Sequence, residues 1–168
     1  SDAAKYLFTL NSNKKKGQVH TTLISFLNFS VIYQTLKDWR KLRRLSLKLE
    51  NRISKMSVSK LVWPLYEEEW KKSMFGEKAL SNLLMLNLFE VAFKKLPIQK
   101  KGVYLQENQE WEFALITAWK EARHNFLVGY PHAAIRFWEL GYFFDSRTYR
   151  RDNYFDMPLP DKTACNGK

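Results

Sequence analysis

Acidic and amide side chains cluster at one point in the second half of the chain. Glu107, Asn108 and Gln109 follow a short apolar segment, and Glu110 and Glu112 come immediately after them. A carboxylate in such a cluster could act as a general base while the amides bind a polar ligand. Carboxylates at the beginning of a helix also cap its free amide groups, so the same residues suit a structural role. Both interpretations stay open at the level of sequence.

A histidine lies in a comparable position further along the chain. His132 follows Pro131, just after a second apolar segment at 125–129. Backbone amides at the start of a helix, with a cation such as Arg136 one turn later, suit a phosphate group. The alternative is that His132 caps the helix and Arg136 is an ordinary surface residue. His124 precedes the apolar segment, and we expect it to be structural.

The elements that must position these side chains form a βαβ pattern. Strands are predicted at 102–105 and 125–129, with a helix at about 109–122 between them and another at about 132–140. Strands joined through a helix lie parallel, so the polar groups at their carboxyl ends meet at one edge of the sheet. Open α/β sheets bind their ligands at that edge. The pattern therefore predicts an α/β fold.

The first third of the chain is predicted to be mainly helical. A short strand is expected at 5–10, followed by a helical region at about 21–56. Apolar residues in that region recur at spacings of three and four, which predicts one buried helix face. The members of this face are Trp39, Leu42, Leu45, Leu49, Ile53 and Met56.

Prolines and glycines mark the later boundaries. Acidic residues after Pro64 are typical of the first turn of a helix, so a helix is predicted to begin there. A mostly buried helix at 78–95 is predicted to end before Pro97. The tail from Phe144 is rich in Arg, Asp, Pro and Asn, which predicts loop.

Basic residues occupy the other side of the helical region at 21–56. They are Lys37, Arg40, Lys41, Arg43, Arg44, Lys48, Arg52 and Lys55. The face they form is either a solvated surface, a contact for anionic lipid headgroups, or a contact for nucleic acid. Sequence alone leaves these three interpretations open.

Length, composition and charge limit the classes of protein to which the chain can belong. The 168 residues suit one domain, or one domain with an appendage, and the 45% hydrophobic fraction suffices for a packed core. A formal net charge of +11 favours an anionic partner.

Cys165 is the single cysteine, which excludes an internal disulfide and is compatible with a reducing compartment. The start lacks a secretory pattern, and the apolar stretch 23–36 is too short and polar to span a bilayer, so a soluble or peripheral protein is expected.

Several common site motifs are absent from the sequence. The chain has no Gly-rich dinucleotide fingerprint or phosphate loop, no Cys/His spacing for zinc and no Gly-x-Ser-x-Gly elbow. It also has no Asp-x-Asp, which argues against a nucleotide-sugar site organised around a divalent metal. No metal or other cofactor is therefore expected.

One set of motifs spans the chain from about 60 to 168. Its members are Trp63-Pro64-Leu65, Trp70, Gly76, Tyr104 to Glu112, His132, Arg136-Phe-Trp138, Leu140, Tyr142-Phe143, Met157-Pro-Leu-Pro160 and Asn166-Gly167, and the densest motif is Glu-Asn-Gln-x-Trp-Glu. In these residues the sequence resembles bacterial surface-carbohydrate biosynthesis proteins, which belong with O-antigen and capsule functions and resemble GT-B glycosyltransferases.

The resemblance implies a reaction and a place for it. A sugar would pass from a nucleotide-activated donor to a glycan or lipid-linked glycan acceptor, in the cytoplasm or at the inner face of the cytoplasmic membrane. GT-B enzymes place the active site between two Rossmann-like domains and commonly need no metal. Proteins of this kind continue beyond the equivalent of Asn166-Gly167 into more α/β structure, so the chain is expected to be part of a longer protein.

The resemblance also suggests roles for individual residues. Glu107 is the first choice for a catalytic or acceptor-orienting carboxylate, and Glu112 is the second. His132 and Arg136 would bind the donor phosphate or a carboxylated sugar. The remaining candidates are ligand-binding: Asn108 and Gln109 would hydrogen-bond to sugar hydroxyls, and Trp111 or Trp138 would stack on a sugar ring.

The expected organisation is therefore a helical, basic region at 1–60 and a Rossmann-like α/β domain at 61–168, one half of a GT-B-like fold. The alternative function is a non-enzymatic module that binds nucleic acid or docks on an acidic membrane surface. Its motivation is the net charge and the basic helix face.

Overall fold

The computed structural model describes residues 2–12, 19–55, 57–131, 144–145 and 157–164. The helices are α1 (Asp2–Ser12), α2 (Phe29–Ile53), α3 (Ser57–Phe75), α4 (Glu77–Lys95) and α5 (Glu110–Glu121), with a short 3₁₀ helix at Leu23–Phe26. The strands are β1 (Lys101–Gln106), β2 (Phe126–Pro131) and β3 (Lys162–Thr163). They form one parallel sheet in the order β1-β2-β3. The fold is therefore mixed α/β, as the βαβ pattern predicted.

The core lies between one face of the sheet and the helices α4 and α5. Its buried residues are Tyr104, Ile116, Trp119 and Leu127, with Phe93, Trp111 and Leu115 packed around them. Gly102 is required here because a Cβ atom at this position would lie 2.5 Å from Cη2 of Trp119 and 2.9 Å from Cδ1 of Leu127. Because Gly102 has no side chain, the Trp119 indole can pack directly on the backbone of β1.

The opposite face of the sheet is exposed among the described residues. Val103 and Leu105 on β1, and Phe126 and Tyr130 on β2, are all solvent-accessible. Parallel sheets in α/β proteins normally carry helices on both faces. Within the described part of the chain, helices cover one face only.

Helix α4 joins the helical part of the molecule to the sheet part, since it contacts α2 and α3 as well as α5. A buried amide holds α4 against α2. The Asn87 Nδ2 group donates to Thr35 Oγ1 at 3.3 Å, to Asp38 Oδ2 at 3.2 Å and to the Leu83 carbonyl at 3.0 Å. Buried polar groups paired in this way specify one packing arrangement. The boundary expected between 60 and 61 falls inside α3.

The apolar face predicted for α2 is only partly correct. Trp39, Leu42 and Ile53 are partly buried, whereas Leu45 is 53% exposed and Leu49 is 47% exposed. Met56, the last predicted member of the face, lies outside the described residues. The fully buried positions of this helix are Val31, Thr35 and Ser46. Thr35 can be buried because its hydroxyl donates to the Val31 carbonyl at 2.8 Å and accepts from Asn87. Apolar periodicity could not reveal a contact face that includes satisfied polar groups.

Three local predictions are wrong. The segment 5–10 lies in helix α1 rather than in a strand, because a short apolar run does not distinguish the two structures. Pro64 lies inside α3, which begins seven residues earlier at Ser57, so it does not start the helix. The tail from Phe144 contains β3, which pairs with β2.

A reciprocal contact attaches β3 to the sheet. The Leu127 N–H donates to Asp161 Oδ2 at 2.7 Å, and the Asp161 N–H donates to the Leu127 carbonyl at 3.0 Å. The Ala164 N–H then donates to the Gly129 carbonyl at 2.9 Å. A two-residue strand depends on such long-range partners, which composition does not show.

The other element predictions are confirmed. The helix predicted at 78–95 corresponds to α4, and the helix predicted at 109–122 corresponds to α5. The predicted strands correspond to β1 and β2, and they are parallel. The helix predicted at 132–140 lies outside the described residues. No helix in the described part of the chain combines the length and the apolar character needed to cross a membrane.

Candidate functional site

The carboxyl ends of β1 and β2 meet at one edge of the sheet. Gln106, the last residue of β1, is paired with Pro131, the last residue of β2. The three polar residues 107–109 leave the sheet at this edge and lead directly into α5. The predicted position of the polar cluster, at the carboxyl end of parallel strands, is confirmed. We call the segment 107–109 the edge turn.

Glu112 holds the edge turn in place. Its side chain is 4% exposed, and its Oε1 atom accepts the Glu107 N–H at 2.7 Å and the Gln109 N–H at 2.8 Å. The bond from Gln109, the N-cap residue of α5, is the reciprocal half of a capping box. The structure therefore gives Glu112 the capping role that its sequence position also allowed. A role for it in acid–base catalysis stays a prediction.

The edge turn presents its own side chains to solvent. Glu107, Asn108 and Gln109 are all exposed. Asn108 has φ of 58°, in the left-handed region that asparagine adopts more readily than most residues. This backbone reversal, together with the two bonds to Glu112, gives the turn a defined shape. Three adjacent polar side chains are thus held on a rigid support.

On the neighbouring strands, a second group of polar atoms lies close to this edge. Thr163 Oγ1 donates to Gln106 Oε1 at 3.2 Å, which links β1 to β3 across β2. A Cβ atom on Gly129 would collide with Gln106 Oε1 and lie 3.0 Å from the Tyr104 hydroxyl. Gly129 therefore makes room for both polar groups above β2. Burial, and secondarily the charge of Glu112, raise the pKa of Tyr104, so its hydroxyl stays protonated.

Trp111 lies on the core side of α5. Its ring meets Tyr104 edge to face, with ring centroids 6.4 Å apart and an interplanar angle of 82°. It is partly buried against the core cluster. The structure thus gives Trp111 a packing role, and sugar stacking by this residue stays a prediction. The other proposed ligand-binding residues, His132, Arg136 and Trp138, lie outside the described residues.

A cleft of about 630 Å³ opens beside the first turn of α5. Its lining is polar and charged and comprises Glu69, Lys72, Gly76, Glu77, Lys78, Ser81, Asn82 and Glu110. An apolar groove of about 260 Å³ adjoins it and shares Asn82 and Glu110. Ligand sites commonly measure about 300–1,000 Å³ and combine apolar walls with a few polar groups. The volume of the cleft falls in this range, and both the cleft and the groove are open to solvent.

An ion pair spans this cleft. Lys78 Nζ on α4 lies 3.1 Å from Glu110 Oε1 on α5. The hydrogen bond from Lys78, and then a backbone hydrogen bond, lower the pKa of the Glu110 carboxyl. Sequence reasoning identified Glu110 only as a helix-start carboxylate and missed Lys78, Ser81 and Asn82. Their polar stripe on the first turns of α4 was visible, but the approach of α4 to α5 is a tertiary contact.

His124 has the structural role that was predicted for it. It is 8% exposed, its Nδ1 atom accepts the Gln99 N–H at 3.1 Å, and its Nε2 atom lies 3.2 Å from the Phe93 carbonyl. Because Nδ1 is an acceptor, Nε2 carries the proton and donates to Phe93. The ring also packs on Trp119, with centroids 4.6 Å apart. His124 thus connects α4, the loop before β1 and α5.

Removing the Glu112 carboxylate tests the rigidity of the edge turn. Glu112→Ala leaves the Glu107 and Gln109 amides without their acceptor, so we expect the free energy of unfolding to fall by about 1–2 kcal/mol. Hydrogen exchange of these two amides should accelerate relative to the rest of the chain. Glu110→Ala, two residues away and exposed, is the matched control and should change stability by less than about 0.5 kcal/mol. Equal effects of the two substitutions would contradict the role of Glu112 in holding the edge turn in place.

Comparison of the chain with models of known protein families, with curated protein sequences and with solved structures gave no match. Within the described ranges, no group of three or more His, Cys, Asp or Glu side chains is arranged to hold a metal ion.

Proposed function

We propose that this chain is a glycosyltransferase, or a fragment of one, that binds an activated sugar or its glycan acceptor at the edge turn. The observation that carries the proposal is the placement of three exposed polar side chains at the carboxyl edge of a parallel sheet, on a turn held by Glu112. This is the edge at which open α/β folds bind their ligands. The resemblance to surface-carbohydrate biosynthesis proteins supplies the ligand class.

Sugars present hydroxyl groups that both donate and accept hydrogen bonds. Amides match this pattern, since each carries an acceptor oxygen and two donor hydrogens. Asn108 and Gln109 are therefore suited to orient a sugar, and the exposed Glu107 carboxylate is suited to accept a proton from an attacking acceptor hydroxyl. The cleft lined by Ser81 and Asn82 would hold the rest of the ligand.

The proposed fold is one half of a GT-B-like architecture, with a Rossmann-like sheet and helical additions before it. The parallel βαβ unit, with α5 joining β1 to β2, supports this assignment. His132 and Arg136 would bind the donor phosphate or a carboxylated sugar, and Trp138 would stack on a sugar ring. A second α/β half would supply the remaining donor contacts, because transfer requires both reactants to be positioned together.

Ligand binding by the full-length protein tests the proposal without requiring turnover. We expect a panel of nucleotide sugars, measured by calorimetry, to contain at least one binder whose dissociation constant rises about 3–10-fold in Asn108→Gly. Glycine keeps the left-handed backbone at this position and removes only the amide group. Asn51→Ala, an exposed amide on α2, is the matched control and should bind as the wild type does.

Two outcomes would overturn the proposal. One is that neither nucleotide sugars nor glycan acceptors bind to the full-length protein. The other is that Asn108→Gly binds its ligand with unchanged affinity, which would place the site away from the edge turn.

A further inference from the structure

The solvent face of α2 carries a stripe of cationic and apolar side chains. Its members are Phe29, Tyr33, Lys37, Arg40, Arg44 and Leu47, which recur at spacings of four, four, three, four and three residues. Such spacing places them on one side of an α-helix. All six are exposed, and this side of the helix is opposite the buried positions Val31, Thr35 and Ser46.

The cations of this stripe have no acidic partners among the described residues. The ion pairs that the structure shows there join residues of α3, α4 and α5, and none uses a basic residue of α2. Lys37, Arg40, Lys41, Arg44 and Lys48 instead line a surface depression of about 600 Å³ together with Tyr33, Gln34, Asp38 and Leu45. Clustered, unpaired cations attract anionic surfaces.

The acidic residues of α2 do not neutralise the stripe. Asp38 lies at the border of the depression, and its carboxylate accepts from Gln34 Nε2 at 3.0 Å and from Asn87 Nδ2 at 3.2 Å. Glu50 is partly buried and lies on the other flank of the helix. The solvent face itself therefore presents only basic, apolar and neutral polar groups.

Apolar side chains on the same face distinguish the possible partners. Phe29 is 91% exposed, Tyr33 is 68% exposed and Leu47 is 58% exposed. They lie towards the two ends of the stripe, with the cations between them. A nucleic-acid backbone would engage the cations and leave Leu47 in water, whereas the interface of a bilayer accepts aromatic and aliphatic groups beside phosphate.

We propose that the solvent face of α2 docks the protein on an anionic phospholipid surface. The 25-residue helix would lie along the membrane plane, with Lys37, Arg40 and Arg44 on lipid phosphates and Phe29 and Leu47 in the interfacial layer. The argument uses charge and exposure on α2 alone, so it stands independently of the sugar chemistry proposed for the edge turn.

Co-sedimentation of the full-length protein with phospholipid vesicles tests the inference. We expect binding to phosphatidylcholine vesicles that contain phosphatidylglycerol, and much weaker binding to phosphatidylcholine alone. Lys37→Gln/Arg40→Gln/Arg44→Gln should lower the partition coefficient about 100-fold, since each cation contributes roughly a fivefold factor near an acidic membrane. Glutamine is a good helix former, so circular dichroism should show an unchanged fold.

A matched control removes the same charge elsewhere. Lys100→Gln/Lys101→Gln/Lys120→Gln changes three exposed lysines outside α2 and should lower the partition coefficient far less. In addition, Phe29→Ser should weaken binding that persists at high salt, where the contribution of charge is screened.

Three results would overturn the inference. The first is an equal loss of vesicle binding in the two triple variants, which would show that binding depends only on net charge. The second is binding to anionic vesicles that Phe29→Ser leaves unchanged at every salt concentration. The third is failure to bind anionic vesicles. If the protein instead binds RNA tightly and in a salt-dependent way, and the α2 triple variant abolishes that binding, the stripe is a nucleic-acid contact.

Discussion

Replacing Trp119 with alanine is expected to lower the free energy of unfolding by about 3–5 kcal/mol. The Trp119 indole is 6% exposed, lies at the centre of the core cluster and contacts Phe93 edge to face at 5.4 Å between ring centroids. Its Nε1–H also donates to the Asn125 carbonyl at 2.6 Å, which fixes the chain entering β2. Urea unfolding measures the loss, with the slope of the transition checking two-state behaviour.

An exposed aromatic residue provides the control for this prediction. Phe8 on α1 is 75% exposed, so Phe8→Ala should change stability by less than about 0.5 kcal/mol. A similar loss in both variants would show that the core does not lie where the structure places it.

The contact between Gly102 and Trp119 can be isolated by a double-mutant cycle. Gly102→Ala alone should cost about 1–3 kcal/mol, because the new Cβ overlaps the distal ring atoms of Trp119. In a Trp119→Phe background those atoms are missing, so the cost of Gly102→Ala should be smaller. Strictly additive effects would mean that the indole does not pack on β1.

The second large effect concerns catalysis at the edge turn. If Glu107 accepts the proton of the acceptor hydroxyl, Glu107→Gln should reduce the sugar-transfer rate of the full-length protein by about 10²–10⁴-fold. Glutamine preserves the size of the side chain, and the Glu107 backbone N–H keeps its bond to Glu112. Nucleotide-sugar affinity should therefore change little while kcat falls.

Glu121→Gln is the matched control for the catalytic prediction. This exposed carboxylate lies at the other end of α5, away from the edge turn and outside the cleft lining, so its loss should affect the rate far less. A wild-type kcat in Glu107→Gln would show that Glu107 is not the catalytic base, and the ligand-binding proposal would stand unchanged. A larger loss of rate in Glu110→Gln than in Glu107→Gln would indicate that the reacting carboxylate lies in the cleft between α4 and α5.

Much of the sheet edge could be predicted from local sequence. The period of apolar residues in α4 and the order of strand, helix and strand depend only on neighbouring residues, and both were predicted correctly. The position of Glu112 in the first turn of α5 likewise follows from helix chemistry, since its carboxylate lies three residues after the N-cap Gln109. These features depend on residues close together in the sequence, so residue type and spacing are sufficient to predict them.

Other features depended on contacts between distant parts of the chain. Local pattern misassigned residues 5–10 and the start of α3 because a short apolar run and a proline each suit more than one conformation. Thr35 is buried beside Asn87, which lies 52 residues away along the chain and donates to its hydroxyl. The pairing of β3 likewise depends on the contact between Asp161 and Leu127, which lie 34 residues apart.

The candidate site shows the same division. The sequence determined which polar groups follow β1 and that a helix begins among them, because both depend on adjacent residues. Only the tertiary structure brought Lys78 to Glu110, opened the cleft between α4 and α5, and left one face of α2 exposed. The physical reason is that burial and electrostatic pairing depend on which surfaces meet, and local residue types do not specify that.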